Sequence, residues 1–490
     1  MLKSFRKIFT KSVYIYLGYS MWEDYLMKYY LKGALLLGSL FIVGCSSLVE
    51  KKEQASIIIK NGTLLTMNEK KEIIENGVIV IKNNKIISVG SEDLLKKYSA
   101  NKVIDAEDGI IMPGMINTHT HASMTVFRSL ADDVPDRLNR YIFPLENQMV
   151  SPEMSYIGAK HGAMEMALGG VTTMVDMYLF EESAAQAVKE VGLRGIMTQN
   201  IIKYPTADGK EKGEALNRAI AFVEKYKNDE LITPGFGPHG PHTVTKEELL
   251  KIEELSKRYN VPVSMHVAET DGEFDRIKKE YKMTPIEYLD SVGLLNERFI
   301  AAHNIFVTDT DIELMKKRDI GVAHNMVANI KSAKGISPAL KMHDMGMRVG
   351  LGTDGPMSGN TLDIIGQMGY VAKLHKLDTK DRSALPPEKA VEMATIGGAR
   401  AIHRENELGS LEVGKLADVV IVETKSVNMN PIYDPYSALV YSANASNVDT
   451  VIVNGKLIVE DKQIKTVDSK KVIKDITDFK EKVQKVAKTL

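Results

Sequence analysis

The chain has 490 residues, 44% of them apolar and 26% charged, with a formal net charge of -1. That length accommodates a barrel and one smaller domain, and the near-neutral charge supplies no basic field, which argues against nucleic acid as a partner. Cys45 is the single cysteine, so an intrachain disulfide and a cysteine-rich metal site are both excluded. Any metal must be held by histidine and carboxylate, donors that suit catalytic zinc or iron.

Near the N-terminus, residues 33–44 (GALLLGSLFIVG) form an apolar run preceded by Lys28 and Lys32. It falls short of the ~20 residues of a membrane span and matches the apolar region of a secretory signal. Its end, Ile42-Val43-Gly44-Cys45-Ser46-Ser47, resembles the lipobox of bacterial lipoproteins. The resemblance implies a signal segment over 1–44, lipidation of Cys45, and a short tether over 45–55. It also implies a lipid-anchored, extracytoplasmic location in the cell envelope, at the outer membrane or the outer face of the cell membrane. Multiple acyl chains supply the stable anchoring that one chain does not. The codons of Trp22-Glu23-Asp24 can spell a ribosome-binding sequence, so translation is expected to start at Met27, not Met1.

From Ala55 the pattern is strand-rich and punctuated by turns at Asn61-Gly62, Asn76-Gly77 and Asn83-Asn84. A similar texture returns at LADVVIVE and DTVIVNGKLIVEDKQI, so a small β-sandwich domain is expected from both chain ends, over 56–110 and 408–465. Between them, over 111–407, short apolar strands alternate with helical stretches, which predicts a TIM-type (β/α)8 barrel. Eight candidate strands can be read: GMINTHTH, GVTTMVDMY, RGIMTQNI, ITPGFGPHG, VPVSMHVAE, FIAAHNI, GVAHNM and RVGLGTD. Residues 466–490 read as an amphipathic closing helix.

The reactive residues gather at the carboxyl ends of these strands, the face where barrel enzymes build their sites. His119 and His121 close the first strand, and alternate residues of a strand share a face. Alone, such a pair is more often structural than metal-binding. His266 ends the fifth strand with Glu269 three residues on, a carboxylate placed to move protons for a hydrolytic water; a surface ion pair is the competing reading for Glu269. His303 ends the sixth strand, where it could steer water or substrate or simply pack in the core. Asp354 ends the eighth and could both ligate a metal and accept a proton.

These stretches, with PGMINTHTHASMTVFRSLADD, GFGPHGPHTVT, AHNMVANIKSAKGISP and VGLGTDGPMSGNTLD, resemble the amidohydrolase superfamily from Ile57 to about Lys465. Within it they are similar to the 5-methylthioadenosine/S-adenosylhomocysteine deaminases and the triazine-type chlorohydrolases. The resemblance implies one Zn2+ per subunit, or Fe2+, on His119, His121, His266 and Asp354. Glu269 is then the proton shuttle and His303 orients water. It further implies that His239 contacts the ring and Glu146 grips ribose hydroxyls, although a surface position also suits Glu146. The expected substrate is an aminated purine nucleoside or similar N-heterocycle, deaminated with release of ammonia, and a homo-oligomer is reasonable. Two departures bear on the substrate: Gln199 stands where relatives place an arginine, and the loop ADDVPDRLNRYIFPLE carries Arg137, Arg140 and Tyr141. Amide or chloride hydrolysis on another ring is the alternative chemistry, and a non-catalytic surface binding lipoprotein the alternative of another class.

Overall fold

The computed structural model describes residues 51–211 and 213–490; Cys45, Met27 and the expected signal segment lie outside them. Glu53–Leu490 form one compact unit. Its centre is a barrel of parallel strands in sequential order: β6 (Met115–Thr120), β7 (Val171–Tyr178), β8 (Arg194–Ile201), β9 (Ile232–Pro238), β10 (Val263–Val267), β11 (Phe299–His303), β12 (Gly321–His324) and β13 (Arg348–Leu351). These are the eight strands read from the sequence. Almost every residue on them is buried, as expected of strands whose outer face is covered by helices and whose inner side chains fill the barrel.

The barrel closes between β13 and β6 without a regular ladder. The N–H groups of Thr353 and Asp354 both donate to the His119 carbonyl, at 3.2 and 3.0 Å. The Asn117 side chain completes the seam, accepting from Thr353 N–H at 3.1 Å and donating to Thr353 Oγ1 at 2.8 Å. A Cβ on Gly352 would sit 2.2 Å from Asn325 Oδ1 and 3.1 Å from His119 Cβ, so only glycine fits where this seam runs so close.

The flanking strands are β1 (Glu53–Leu65), β2 (Ile73–Lys82), β3 (Lys85–Gly90), β4 (Tyr98–Asp105) and β5 (Ile110–Pro113) from one end of the chain. From the other come β14 (Val419–Val422), β15 (Val448–Val453), β16 (Lys456–Glu460) and β17 (Gln463–Ile464). They join into one nine-stranded sheet, the two ends meeting where β5 pairs antiparallel with β14. The sheet curls over its own core, which gathers Ile59, Ile79, Ile111, Val419 and Ile452, and its far edge returns as Ile86 N–H donates to the Lys415 carbonyl. A buried pair, Arg194 on β8 with Asp418 at 3.3 Å, ties sheet to barrel.

A closing helix, Ser469–Ala487, buries Val472, Phe479 and Val483. Phe479 and Val483 pack with Phe127, Ile142, Leu145 and Val150, so this helix braces the long connection after β6. Among the described residues no helix is long and apolar enough to cross a membrane.

Candidate metal centre and active site

His119, His121, His266 and Asp354 converge at the carboxyl end of the barrel, each offering one ligand atom within 4.8 Å of the others. Their orientation is set by backbone. The Nδ1 of His121 faces the Met177 carbonyl, and that of His266 faces the His239 carbonyl at 2.8 Å. A carbonyl can only accept, so each Nδ1 carries the proton and each Nε2 lone pair turns inward; the two Nε2 atoms are 3.2 Å apart. Asp354 Oδ1 lies 3.3 Å from His121 Nε2 and 3.9 Å from His119 Nε2. Both ring nitrogens of the fully buried His119 lack any hydrogen-bond partner. Buried polar atoms are seldom left so, and three imidazoles with one carboxylate make a donor set that fits a divalent ion.

The charges agree with this. Burial first, then the neighbouring His121, holds His119 well below its ordinary range, so it stays a neutral ligand. Burial likewise holds His266 well below its usual value, reinforced by His119, His239, His121 and His303. Burial disfavours charge on His121, but its bond to Asp354, with the charges of Asp354 and Asp176, pushes it up to about 9. Burial opposes ionisation of Asp354 too, yet His121, His303 and His119 hold it well below the carboxylate range. Asp354 thus takes its counter-charge from His121, and a divalent cation competes with that proton.

Glu269 and His303 stand beside the cluster. His303 Nε2 is buried without a hydrogen-bond partner, 3.8 Å from Glu269 Oε1 and 4.0 Å from Asp354 Oδ2, and its Nδ1 is held by Asn329 Oδ1 at 2.8 Å. Glu269 is held down at about 2: burial opposes its charge, but His303 and Lys334, the latter also a hydrogen-bond donor to it, prevail. The turn carrying Glu269 is fixed from below by Glu273, whose carboxylate accepts from Ala268 N–H at 2.7 Å and Glu269 N–H at 3.1 Å. Burial raises Glu273 to about 8 despite those bonds. His303 at φ 75° and Asp354 at φ 59° occupy the left-handed region, strained backbone of the kind found where side chains are aimed for function.

A cavity of about 930 Å³ opens over this floor, and it is lined among others by His121, Glu146, Tyr178, His239, His266, Glu269 and Asp354. The structure therefore brings every site residue read from the described part of the sequence to one place. His239 shares a hydrogen bond with Thr243 Oγ1 at 3.0 Å, and burial pulls it down to about 4, so it is a neutral imidazole. Glu146 is pushed up to about 7 by burial, against the pull of Tyr178 and His121. Of the loop residues flagged in the sequence, Arg137 lines the cavity, whereas Arg140 stacks on Tyr141 at 5.3 Å and bonds the Leu490 carbonyl. Gln199 does not reach the cavity: it is buried, donating to Asp208 Oδ2 at 2.8 Å and accepting from Glu181 N–H at 3.2 Å. Sequence reading missed Lys334, Asn329, Glu273 and Asn117. It also missed Asp132, which accepts from Lys331 at 2.8 Å and from Asn360 at 3.0 Å. All but Glu273, which follows VPVSMHVAE, were present only as polar residues inside otherwise recognised stretches.

The fold and the site define an α/β-barrel hydrolase with a histidine–carboxylate metal centre. The chain belongs to the amidohydrolase family, whose model matches residues 110–458. It is 40% identical over 423 residues to a 5-methylthioadenosine/S-adenosylhomocysteine deaminase of Thermodesulfovibrio yellowstonii, covering 85% of this chain and 96% of that one. It is 37% identical over 425 residues to a 5'-deoxyadenosine deaminase of Methanococcoides burtonii, covering 86% and 96%. Among solved structures, an adenosine deaminase from Xanthomonas campestris with bound zinc superposes with a TM-score of 0.87 at 29% identity, over 89% of this chain and 100% of that one. A zinc complex of atrazine chlorohydrolase from Arthrobacter aurescens, at 22% identity and a TM-score of 0.79 over 86% and 99%, shares the fold.

Proposed function

We propose that the protein is a metal-dependent hydrolytic deaminase of adenosine-type nucleosides, with 5'-deoxyadenosine, 5-methylthioadenosine and S-adenosylhomocysteine as the compounds to try first. The observation that carries this reading is the cluster of His119, His121, His266 and Asp354 with Glu269 and His303 beside it on the floor of one cavity. The named relatives and the zinc-bound structural neighbour support it. His119, His121, His266 and Asp354 would hold one zinc ion, or iron, per subunit. Such an ion would make water acidic enough to ionise at a pKa of ~7.

The chain's own residues do the rest. His303 Nε2 orients the attacking oxygen from one side, and Asp354 faces it from the other. Glu269 receives the proton that water loses and delivers it to the ring nitrogen, so that the carbon bearing the amino group becomes tetrahedral. The remaining proton of the added hydroxyl passes, by way of the site carboxylates, to the amino nitrogen; the C–N bond breaks, a ring carbonyl forms and ammonia leaves. His239 meets the ring as a neutral imidazole, and the Glu146 carboxylate accepts from ribose hydroxyls. An ammonia-release screen across purine nucleosides, bases, pterins and triazines, with and without Zn2+, tests the reading. Chloride release from a chlorinated ring, with no ammonia from any nucleoside, sinks it.

Cys45, in Ile42-Val43-Gly44-Cys45-Ser46-Ser47, is the proposed lipid attachment point, placing the enzyme at the cell envelope. Metabolic labelling with a radioactive fatty acid tests this: label should enter the parent protein and be absent from Cys45→Ser, and an unlabelled parent rules the anchor out.

A further inference from the structure

The segment 325–337 follows β12 and lines the cavity from Lys331 to Lys334, and it grips the end of β11 and the loop after β6. Asn329 holds His303 at 2.8 Å, Lys331 holds Asp132 of the loop after β6 at 2.8 Å, and Ser337 Oγ donates to the Asn304 carbonyl at 2.9 Å. A further contact meets the carboxylate proposed as the proton shuttle: the Lys334 ammonium donates to Oε1 of Glu269. We propose that Lys334 is a positioning residue for the proton shuttle, fixing Oε1 of Glu269 so that Oε2 alone is free to carry protons. The proposal rests on Glu269 acting as that shuttle.

A carboxylate has two equivalent oxygens and a soft terminal torsion. A shuttle that must meet water, a ring nitrogen and a leaving amine in turn loses rate whenever it swings away. Anchoring one oxygen with a charge-assisted bond removes the swing and leaves the other oxygen without a fixed partner, free to take up and release a proton. Here Oε2 has no hydrogen-bond partner among the described residues, and Glu269 lines the cavity. Lys334 is the one described side chain that hydrogen-bonds the Glu269 carboxylate, since His303 stands off at 3.8 Å. The ammonium suits this role: burial works against its charge, but Glu269 and Asp354 more than offset this and keep it a cation. The other charged or titratable groups facing Glu269 are His303 on β11, Asp354 after β13, His239 and His242 after β9, Glu273 on the following helix, and His119 on β6. None of these supplies a fixed donor to Oε1.

Lys334→Met and Lys334→Arg in the metal-loaded full chain distinguish positioning from mere loop anchorage. Assayed on whichever nucleoside or ring the ammonia screen selects, Lys334→Met should lower kcat by ~10- to 100-fold with KM within about threefold. The acidic limb of its pH profile should move to higher pH, because the carboxylate has lost its cation. Lys334→Arg keeps a donor and a charge, so it should restore the limb and recover kcat to within about tenfold of the parent. Equal loss at every pH with no rescue by arginine, or a Met variant within about twofold of the parent, overturns the proposal. A readout that needs no turnover stands beside these. In infrared difference spectra, the carboxylate band assigned by its absence in Glu269→Gln should titrate at higher pH in Lys334→Met. If the parent releases no ammonia from any ring, the deaminase reading fails by itself, and an unshifted infrared midpoint is then the result that removes Lys334 from this role.

Discussion

At the floor of the cavity His119 is 0% exposed and Asp354 5%, whereas at the rim Asp133 and Arg276 stand open to solvent. The floor side chains sit at strand ends, are aimed by backbone carbonyls, and have their protonation set by burial and by one another. Those of the rim sit on connections and are joined by side-chain pairs such as Asp132 with Lys331 and Arg137. A chemistry that must be held to a fraction of an ångström is thus built on strands, and selection among substrates is left to loops that can change without disturbing it.

The sharpest way to break this comparison is at the floor. Glu269→Gln removes the proposed shuttle without a change of shape, so turnover should fall by ~10²–10⁴-fold while elemental analysis still finds metal. Full activity in that variant would show that the floor does not carry the chemistry. Asp354→Ala should lose both activity and bound metal, since it takes the only carboxylate from the ligand set; metal retained at parent stoichiometry would move the centre elsewhere. A step further out, Asn329→Ala frees Nδ1 of His303, and a loss of ~10- to 100-fold in kcat with metal content unchanged is expected. The smallest effect belongs to the substrate side. Glu146, raised to about 7, should become the better hydroxyl acceptor as pH rises. For a ribosyl substrate KM should therefore fall several-fold between about pH 6 and about pH 8, and a Glu146→Gln variant should give a flat KM over that window.

The linkage to stability runs the other way for the same group. A carboxyl whose folded value is raised to about 7 favours the folded chain while it is protonated. That contribution is present at acid pH and declines as pH rises from about 4.5 through 7. Glu273, raised to about 8, acts in the same direction. Function at Glu146 and stability at both carboxyls therefore pull on pH in opposite senses.

Much of the floor could be read in advance because its signals are local. His119 and His121 alternate on one strand, and His266, His303 and Asp354 each end an apolar run, so one dimension of sequence already carried the three-dimensional convergence. The eight strands were legible for the same reason, as short apolar runs between amphipathic helices. The curled sheet was visible only as strand texture at both ends, because which strands pair across some 300 intervening residues, as β5 does with β14, has no local mark. Gln199 was expected at the substrate, yet its partner is Asp208 in a loop whose path the residues alone do not dictate. Lys334 and Asn329 were hidden similarly: a lysine and an asparagine in a polar stretch look alike whether solvated or aimed at a carboxylate and an imidazole.

The seam of the barrel has a mechanical consequence. His119 and His121 lie at the end of the first barrel strand and Asp354 just beyond the last, so an ion bound to all three would span the junction where the ring closes without a ladder. Such an ion would act as a clasp on the closed ring as well as a reagent. Opening of the ring and release of the ion then become a single event, so chelation should quicken unfolding, and the midpoint of thermal unfolding should climb with the logarithm of free zinc concentration. The lifetime of the folded chain would in this way follow the metal supply around it.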